Sequence, residues 1–435
     1  MRYSWAITVA ILLMPGVAGA LSLDKALTLA REQATTLQTL AAETQQAEAV
    51  HQQSSQAFLP TISADASWLR ADSSLISGIP VPTTGMPPIQ RTDLGPVEGT
   101  VTGVQLIQPL YNVDALQQRE AASLNVDARR QAQQWGQQVL RLEVARRYFN
   151  ILRLQQQESA ARLSRKAAAK VAQLAEAGYD QGLAARLDME QANAELAAAE
   201  AAVAQAQAVT QQAEYQLKSL LGMAPQVPVN VADAMPRPQP PTEMGNPAPR
   251  KDLKARQLAV DAADARASAS EADWMPRVNL LARQQWGHGN ELLNDNADGW
   301  LVAVNLQWTL FDGFGRQGRI AESRAGAKIA RAEMEETRRQ IQREQAIATS
   351  QWQAGYASWQ AAEKATQAAE RAAQLATRRY EEGVGSMTDL LAARARLDRQ
   401  RATLIDSRYQ AVLAGMNYHL QNGRDPLLAL GRQHR

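Results

Sequence analysis

The sequence predicts a mainly α-helical fold with a membrane β-barrel, built from a duplicated unit. Residues 104–112 resemble residues 304–312, which lie 200 positions later. Further along the chain, residues recur 201 positions apart, as in the pairs Gly182 and Gly383, Asp188 and Asp389, and Gly222 and Gly423. A period this long exceeds the roughly 20 to 50 residues of a solenoid repeat, so it indicates two copies of one domain. Long segments without helix breakers predict the helices, and alternating apolar and polar residues predict the strands.

A long helical hairpin is predicted in each half of the sequence. A first helix over residues 23–57 precedes a helix over 113–177 with a single glycine, which is followed by a helix over 184–220. At roughly 1.5 Å per residue the middle helix would reach on the order of 100 Å, which no compact domain accommodates. The second half repeats this order from a helix over 251–273. A single solvated coiled coil is the alternative, but it does not explain the strands that interrupt the helices in both halves.

Four strands are predicted, with an exposed loop over residues 73–99 between the first two. They cover residues 61–68, 100–108, 278–286 and 300–310. In the last strand Trp300 and Trp308 bracket an apolar face by about 26 Å, or about 20 Å across a tilted membrane strand. Together with Trp68 and Trp286 they form a predicted aromatic girdle. A half-buried strand of a soluble sandwich is the alternative.

Four strands of this length cannot close a membrane barrel, which needs about eight or more. An open edge in lipid leaves backbone groups without partners. The strands must therefore be shared between subunits, and the number of strands in the barrel is a multiple of four.

The N-terminus predicts export. Residues 6–14 are apolar, a helix-breaking Pro-Gly pair follows, and residues 18–20 fit a small-x-small cleavage site. Residues 1–20 are therefore a predicted signal peptide, with Leu21 as the first mature residue. A membrane anchor is the alternative, although the run is shorter than the roughly 20 apolar residues that a spanning helix needs.

Composition excludes several classes of function. The net charge of +2 on 435 residues argues against binding of nucleic acid. The absence of Cys excludes disulfides, thiol catalysis and a lipid-modified N-terminal Cys. The four histidines show no metal-binding spacing, and no nucleophile motif or Gly-rich phosphate loop accompanies them. We therefore expect no enzyme activity, no cofactor and no metal site.

The repeat and the composition divide the chain into five predicted segments. Pro-rich composition marks the connector between the halves. The segments are a signal peptide over 1–20, a first repeat over 21–225, a linker over 226–250, a second repeat over 251–426 and a tail over 427–435.

In the order of these features the chain resembles the TolC family of trimeric outer-membrane channel proteins, over essentially the whole mature sequence. No single motif is decisive, but the same order occurs twice. The segments that carry the resemblance are Phe58-Leu59-Pro60, Trp274-Met275-Pro276, residues 104–111 and 304–311, residues 144–149, Gln181-Gly182-Leu183 and Glu382-Gly383-Val384.

The resemblance implies a homotrimer with a 12-stranded barrel in outer-membrane lipid and a helical tunnel in the periplasm. It also implies the exit duct of a tripartite efflux pump or a type I secretion system. The partners would be a periplasmic adaptor protein and an inner-membrane transporter. A soluble periplasmic adaptor or structural protein is the alternative, but an adaptor is expected to carry one hairpin rather than two.

The resemblance further implies a gate at the periplasmic tips. Asp389 matches an aspartate that lines the narrow aperture, where three copies would form a negative ring that favours cations. Tyr380 and Asp188 match residues that hydrogen-bond between neighbouring coiled coils. The chain departs from the family pattern at Gly385, where an Arg is expected. Leu187 and Ala392 also replace polar residues, so fewer polar links would hold this gate.

Docking of an adaptor is predicted at the two hairpin tips. Gly182 with Leu183, and Gly383 with Val384, match the grooves that accept an adaptor's helical hairpin. Glycine permits a tight turn and close backbone approach. Each glycine is also expected simply to end a helix. Asp389 likewise has a structural alternative, because Ser386, three residues earlier, is spaced to cap the helix that contains Asp389.

Overall fold

The computed structural model describes residues 21–71, 97–182, 184–242, 246–289 and 298–431. The predicted signal peptide, Leu183 and most of the predicted loop over 73–99 lie outside this part of the chain. Within it the chain is mainly helical, with four strands. The helices are α1 (Leu23–Gln33), α2 (Thr35–Gln53), α3 (Val113–Asp180), α4 (Arg186–Leu220), α5 (Lys251–Ala272), α6 (Gly315–Glu381) and α7 (Met387–Gln421).

The first predicted helix is divided in two. Ala34 has an extended backbone with φ −65° and ψ 118°, and it separates α1 from α2. Its side chain is buried in the same apolar cluster as Leu37. The 3₁₀ turn Ser54–Ala57 then ends the segment. Packing rather than propensity sets this break, because alanine is the best helix former and gives no local stop signal.

The two long helices confirm the duplicated architecture. α3 has 68 residues and α6 has 67. The helix ends that follow match as well. Gly182 and Gly383 have φ of 73° and 74°, and Gly222 and Gly423 have φ of 66° and 72°. Only glycine adopts this left-handed conformation freely, which explains why both halves have glycine at these helix ends.

The four strands form one antiparallel sheet in the order β1-β2-β3-β4. Their bounds are β1 Thr61–Ala71, β2 Val97–Tyr111, β3 Arg277–Gly289 and β4 Gly299–Gln307. β4 ends three residues earlier than the predicted Leu310. The last residue pair of the ladder between β3 and β4 joins Arg277 to Gln307. The residue that would pair with Trp308 is Pro276, which has no N–H to donate.

Contacts divide the chain into two compact units. One unit comprises residues 1–41, 131–253 and 337–435, and it contains the apolar core. The largest fully buried side chains of this core include Tyr148, Phe149, Leu217 and Met416. The other unit comprises residues 42–130 and 254–336, and it contains the whole sheet.

A buried arginine fixes the end of the Pro-rich connector in the first unit. The guanidinium of Arg250 donates to Asp252 at 2.7 Å, to Glu344 at 2.9 Å and to the side-chain oxygen of Gln421 at 2.7 Å. It also lies 4.6 Å from the ring centroid of Trp135. Burial opposes the charge, yet these carboxylates raise the pKa of Arg250 above its ordinary value. The side chain therefore remains charged, and each of its three nitrogens donates a hydrogen bond.

Across the described part of the chain, none of the helices has the length and apolar character needed to cross a membrane.

Candidate functional site

One face of the sheet is mostly apolar and carries tryptophans. Trp300 pairs with Gln284, Trp286 with Thr102, and Trp68 with Thr100. Because partners in an antiparallel ladder share a face and neighbours alternate, this register places all three tryptophans on the same side. The apolar side chains on that side include Ile62, Val104, Leu106, Val302, Val304 and Leu306.

The tryptophans on this face are solvent-exposed, as a lipid-facing surface requires. The exposed fraction is 63% for Trp68, 39% for Trp286 and 77% for Trp300. Trp308 lies just beyond β4, and its indole N–H donates to the backbone oxygen of Trp274 at 3.0 Å. Its ring is 56% exposed. The apolar bodies of these residues therefore remain available to a membrane interface, where Trp is enriched.

The opposite face is more polar and carries an ion pair across a strand. Arg283 of β3 reaches over β2 to Asp65 of β1, with 2.9 Å between Nη2 and Oδ2. Gly103 lies between them, and a Cβ there would approach Arg283 Nη2 to 3.3 Å. The absence of a side chain on Gly103 therefore gives the guanidinium its path. Such a face suits contact with water.

Both edges of the sheet are unpaired within the chain. β1 and β4 are the terminal strands of the four-strand order, and the ladders join only β1 to β2, β2 to β3 and β3 to β4 among the described residues. Exposed edges of this length are templates for pairing with another strand.

The two hairpin tips share one backbone design. At the second tip the Gly383 N–H donates to the Tyr380 oxygen and the Val384 N–H to the Arg379 oxygen, a Schellman motif. At the first tip the Gly182 N–H donates to the Tyr179 oxygen in the same way. Apart from each glycine and its chain neighbours, no atom of the described residues lies within 4 Å of a Cβ built on Gly182 or Gly383. Both glycines thus end a helix and leave open space above the turn.

Asp389 lies in the first turn of α7, where the sequence places it. Its backbone N–H donates to Ser386 Oγ at 3.0 Å, so Ser386 caps the helix as the structural alternative predicted. The Asp389 side chain is exposed. The cap uses the backbone of Asp389, so its carboxylate remains free for another role.

Tyr380 and Asp188 are brought near each other without a direct link. Tyr380 packs on an apolar cluster at the tip and is half-buried. Burial, and then the negative charge of Asp188, raises the pKa of the Tyr380 hydroxyl above its ordinary value. Among the hydrogen bonds of the described residues, none joins the two side chains.

A buried apolar cluster near the tips was not predicted from the sequence. Met387 and Leu390 of α7 are 3% and 1% exposed. They pack with four small residues of α3 and α4, namely Val171, Ala172, Ala175 and Ala192. The apolar residues at positions 387, 390 and 391 indicate a buried stripe on α7, but nothing local identifies the helix against which it packs.

Polar links continue the contact between α3 and α7 away from the tips. Ser164 Oγ donates to Asp398 at 2.6 Å. Further along, Asp406 accepts from Arg153 at 2.6 Å and from the side-chain amide of Gln157 at 2.9 Å. These links and the tip cluster hold α7 of the second hairpin against α3 of the first.

The fold is shared with solved outer-membrane proteins. VceC from Vibrio cholerae aligns with a TM-score of 0.76 and 20% identity, covering 94% of this chain and 96% of its own. The CmeC outer membrane channel of Campylobacter jejuni aligns with a TM-score of 0.80 and 16% identity, covering 92% of this chain and 85% of its own. The open state of the Neisseria gonorrhoeae MtrE outer membrane channel aligns with a TM-score of 0.75 and 18% identity, covering 93% of this chain and 89% of its own. No curated protein sequence matches the chain.

A family model identifies the chain more directly. The model described as outer membrane efflux protein matches residues 26–223 and 248–416, which is most of the chain. Both halves of the repeat are included. Membership in a family of transport conduits also agrees with the prediction that the protein is not an enzyme. The chain therefore belongs to the outer membrane efflux protein family and is an outer-membrane protein, as its resemblance to TolC-family channels predicted.

Proposed function

We propose that three copies of the chain form one exit duct, with a shared 12-stranded barrel in the outer membrane and a helical tunnel in the periplasm. The observation that carries this proposal is the sheet, which has two unpaired edges and one exposed face with tryptophans. Closing such a sheet with strands of identical copies satisfies every edge, which lipid requires. The polar face with Asp65 and Arg283 then lines a water-filled lumen.

The duct serves a tripartite efflux pump or a type I secretion system. Efflux is favoured by the family to which the chain belongs. The duct receives its cargo through an inner-membrane transporter and a periplasmic adaptor. In this proposal the first repeat over 21–225 and the second over 251–426 form equivalent segments of the duct wall. The linker over 226–250 joins them, residues 1–20 are the export signal, and residues 427–435 form a tail.

The gate is formed at the hairpin tips. Asp389 supplies one carboxylate per chain to a three-fold aperture, and its exposed position at the start of α7 supports this role. Tyr380 and Asp188 bias the closed state through their proximity. The apolar contact of Met387 and Leu390 with the first hairpin compensates for the polar residues that Gly385, Leu187 and Ala392 replace.

The adaptor docks at the two tips. Gly182 with Leu183 and Gly383 with Val384 form the contact points. Support comes from the open space above both glycines and from Val384, which is 63% exposed at the turn. The matched turns offer an adaptor two similar sites in each chain.

Fractionation and efflux together test the proposed function. We expect the full-length protein in the outer-membrane fraction, extractable by detergent as a trimer. A strain that lacks the gene should accumulate dyes or antibiotics and regain export when the gene is returned. Recovery as a soluble periplasmic monomer would support the adaptor alternative and contradict the duct. Restored protein secretion without restored drug export would assign the duct to type I secretion.

A further inference from the structure

The polar face of the sheet carries few charges. Among the ladder residues on this face, the charged side chains are Asp65, Arg283 and Arg277. Arg277 lies at the start of β3 and pairs with Asp114 at 2.8 Å and with Asp273 at 3.1 Å. The other polar side chains of this face are uncharged, and they include Ser63, Ser67, Gln105, Gln285 and Asn305. Asp65 and Arg283 are therefore the charges that this face presents away from its helical end.

The side chain of Arg283 lies along the sheet. Its Nη2 atom reaches Asp65 Oδ2 at 2.9 Å, although β1 and β3 are two strand spacings, or about 9.6 Å, apart. On the way its Nη1 atom lies 3.4 Å from Gln105 Oε1, and the missing side chain of Gly103 leaves room for the guanidinium. The pair thus neutralises Arg283 and holds it against the wall.

Folding alone does not account for this pair. The side chains of Arg283 and Asp65 are 31% and 47% exposed, and ion pairs with such exposure contribute little to stability. The duplicated unit does not repeat the charges either. Counted from the proline that precedes each strand, Asp65 corresponds to Leu281, and Arg283 corresponds to Ser67. The pair is therefore a property of this one face, where its main effect is on the local charge.

A shared barrel is narrow enough for such charges to act across its lumen. Twelve strands about 4.8 Å apart and tilted by roughly 40° give a circumference of about 75 Å and a backbone diameter of about 24 Å. A side chain on the wall then lies within about 10 Å of the axis, which is about one Debye length at 0.1 M salt. Identical copies place their pairs at the same level, so any unpaired charges there would act together on a passing solute.

We propose that Asp65 and Arg283 set the charge selectivity of the barrel lumen, and that their mutual neutralisation lets the lumen pass cargo of either charge. Loss of Asp65 leaves a ring of guanidinium groups that attracts anions and repels cations. Loss of Arg283 leaves a ring of carboxylates with the opposite preference. The proposal rests on the proposed function, which turns the polar face of the sheet toward a lumen.

Labelling of a single cysteine inside the lumen tests this role, and the chain has no native Cys. Asn305 is exposed on the polar face of β4, about 13 Å of strand nearer the helices than Leu301, the partner of Arg283. Asn305→Cys is labelled in intact cells with two maleimides of matched size, one cationic and one anionic. Both are too large to enter the periplasm through general porins. Each reagent therefore has to pass the level of the pair, and neither passes the hairpin tips.

We expect the ratio of the cationic to the anionic labelling rate to fall several-fold with Asp65→Asn and to rise several-fold with Arg283→Gln. The double variant should return to the native ratio. Glu98→Gln is the matched control, because Arg70 and Glu98 form a cross-strand pair at 3.8 Å on the opposite face, and it should leave the ratio unchanged. In 1 M salt, where the Debye length is about 3 Å, the differences should disappear.

Ratios that stay at the native value in both single variants, while Asn305→Cys is labelled, would overturn this role. Shifts of the same sign in both variants, or an equal shift with Glu98→Gln, would indicate a distorted barrel and also overturn it. If Asp65→Asn fails to form trimers, Arg283→Gln still decides between these results. Failure of both reagents to label Asn305→Cys, in otherwise native protein inserted in the outer membrane, would contradict the proposed duct itself.

Discussion

Truncation of Leu390 to alanine is expected to open the proposed gate. Leu390 is 1% exposed and packs with Val171, Ala172 and Ala175 across the two hairpins. In the proposed gate, opening of the tip withdraws α7 from α3 and exposes this side chain. The closed state therefore depends on a contact that the open state lacks.

The expected size of the effect follows from the burial. Replacing a fully buried Leu by Ala costs about 2–5 kcal/mol. If most of that cost falls on the closed state alone, the closed-to-open equilibrium shifts by roughly 30-fold or more, since about 1.4 kcal/mol is tenfold. A gate that is rarely open in the native protein would then be open for a substantial fraction of the time.

Single-channel recording in planar bilayers measures this shift. Leu390→Ala should show larger mean conductance and more frequent open events than the native channel. Leu375→Ala is the matched control, because Leu375 is 62% exposed on α6 and its truncation removes no buried contact. If Leu390→Ala forms stable trimers but conducts like the native protein and the control, the tip cluster does not hold the gate.

Four further substitutions test the aperture, the docking site, the buried Arg250 and the buried His419. Asp389→Asn should weaken the block of current by divalent cations while the Ser386 cap persists, because the cap uses the backbone; unchanged block would remove this carboxylate from the aperture. Gly383→Ile should abolish efflux in intact trimers, and Gly383→Asn, which tolerates positive φ, separates lost docking from backbone strain; full drug resistance with isoleucine would refute the docking site. Arg250→Met should lower the free energy of unfolding by about 3–5 kcal/mol, because two carboxylates lose a buried partner; thermal denaturation would contradict this if the melting temperature stayed the same. Burial, and then the charge of Arg424, lowers the pKa of His419. The unfolded chain therefore binds a proton at His419 more readily than the folded chain, and the free energy of unfolding falls as pH drops below about 6.5. His419→Phe should reduce that fall in melting curves recorded over a range of pH, and a pH profile identical to that of the native protein would refute this role of His419.

Features that depend on local chemistry could be predicted from the sequence. The long helices lack breakers, and α3 begins at Val113 as expected. Glycines with left-handed backbone end the helices at both tips, and Ser386 caps α7. Alternation along β4 identified the face that bears Trp300. Each of these signals lies within a few residues of the structure that it produces.

Features that depend on distant partners could not be predicted in this way. The break at Ala34 arises from tertiary packing of a residue with high helix propensity. The end of β4 coincides with Pro276, which directly precedes β3. The contact of Leu390 with α3 joins residues more than 200 positions apart. In each case the deciding contact is made by a residue outside the local pattern.

Cross-linking between the two sheet edges tests whether neighbouring copies of the chain share one barrel. Single cysteines placed along β1 and along β4 are combined in pairs in this Cys-free chain, and the protein is oxidised in the outer membrane. A shared barrel predicts that some pairs give covalent dimers and trimers, with no larger species, as β1 of one copy meets β4 of the next. Disulfides that form only within one chain, or no product from any pair in folded protein, would contradict the shared barrel and with it the duct.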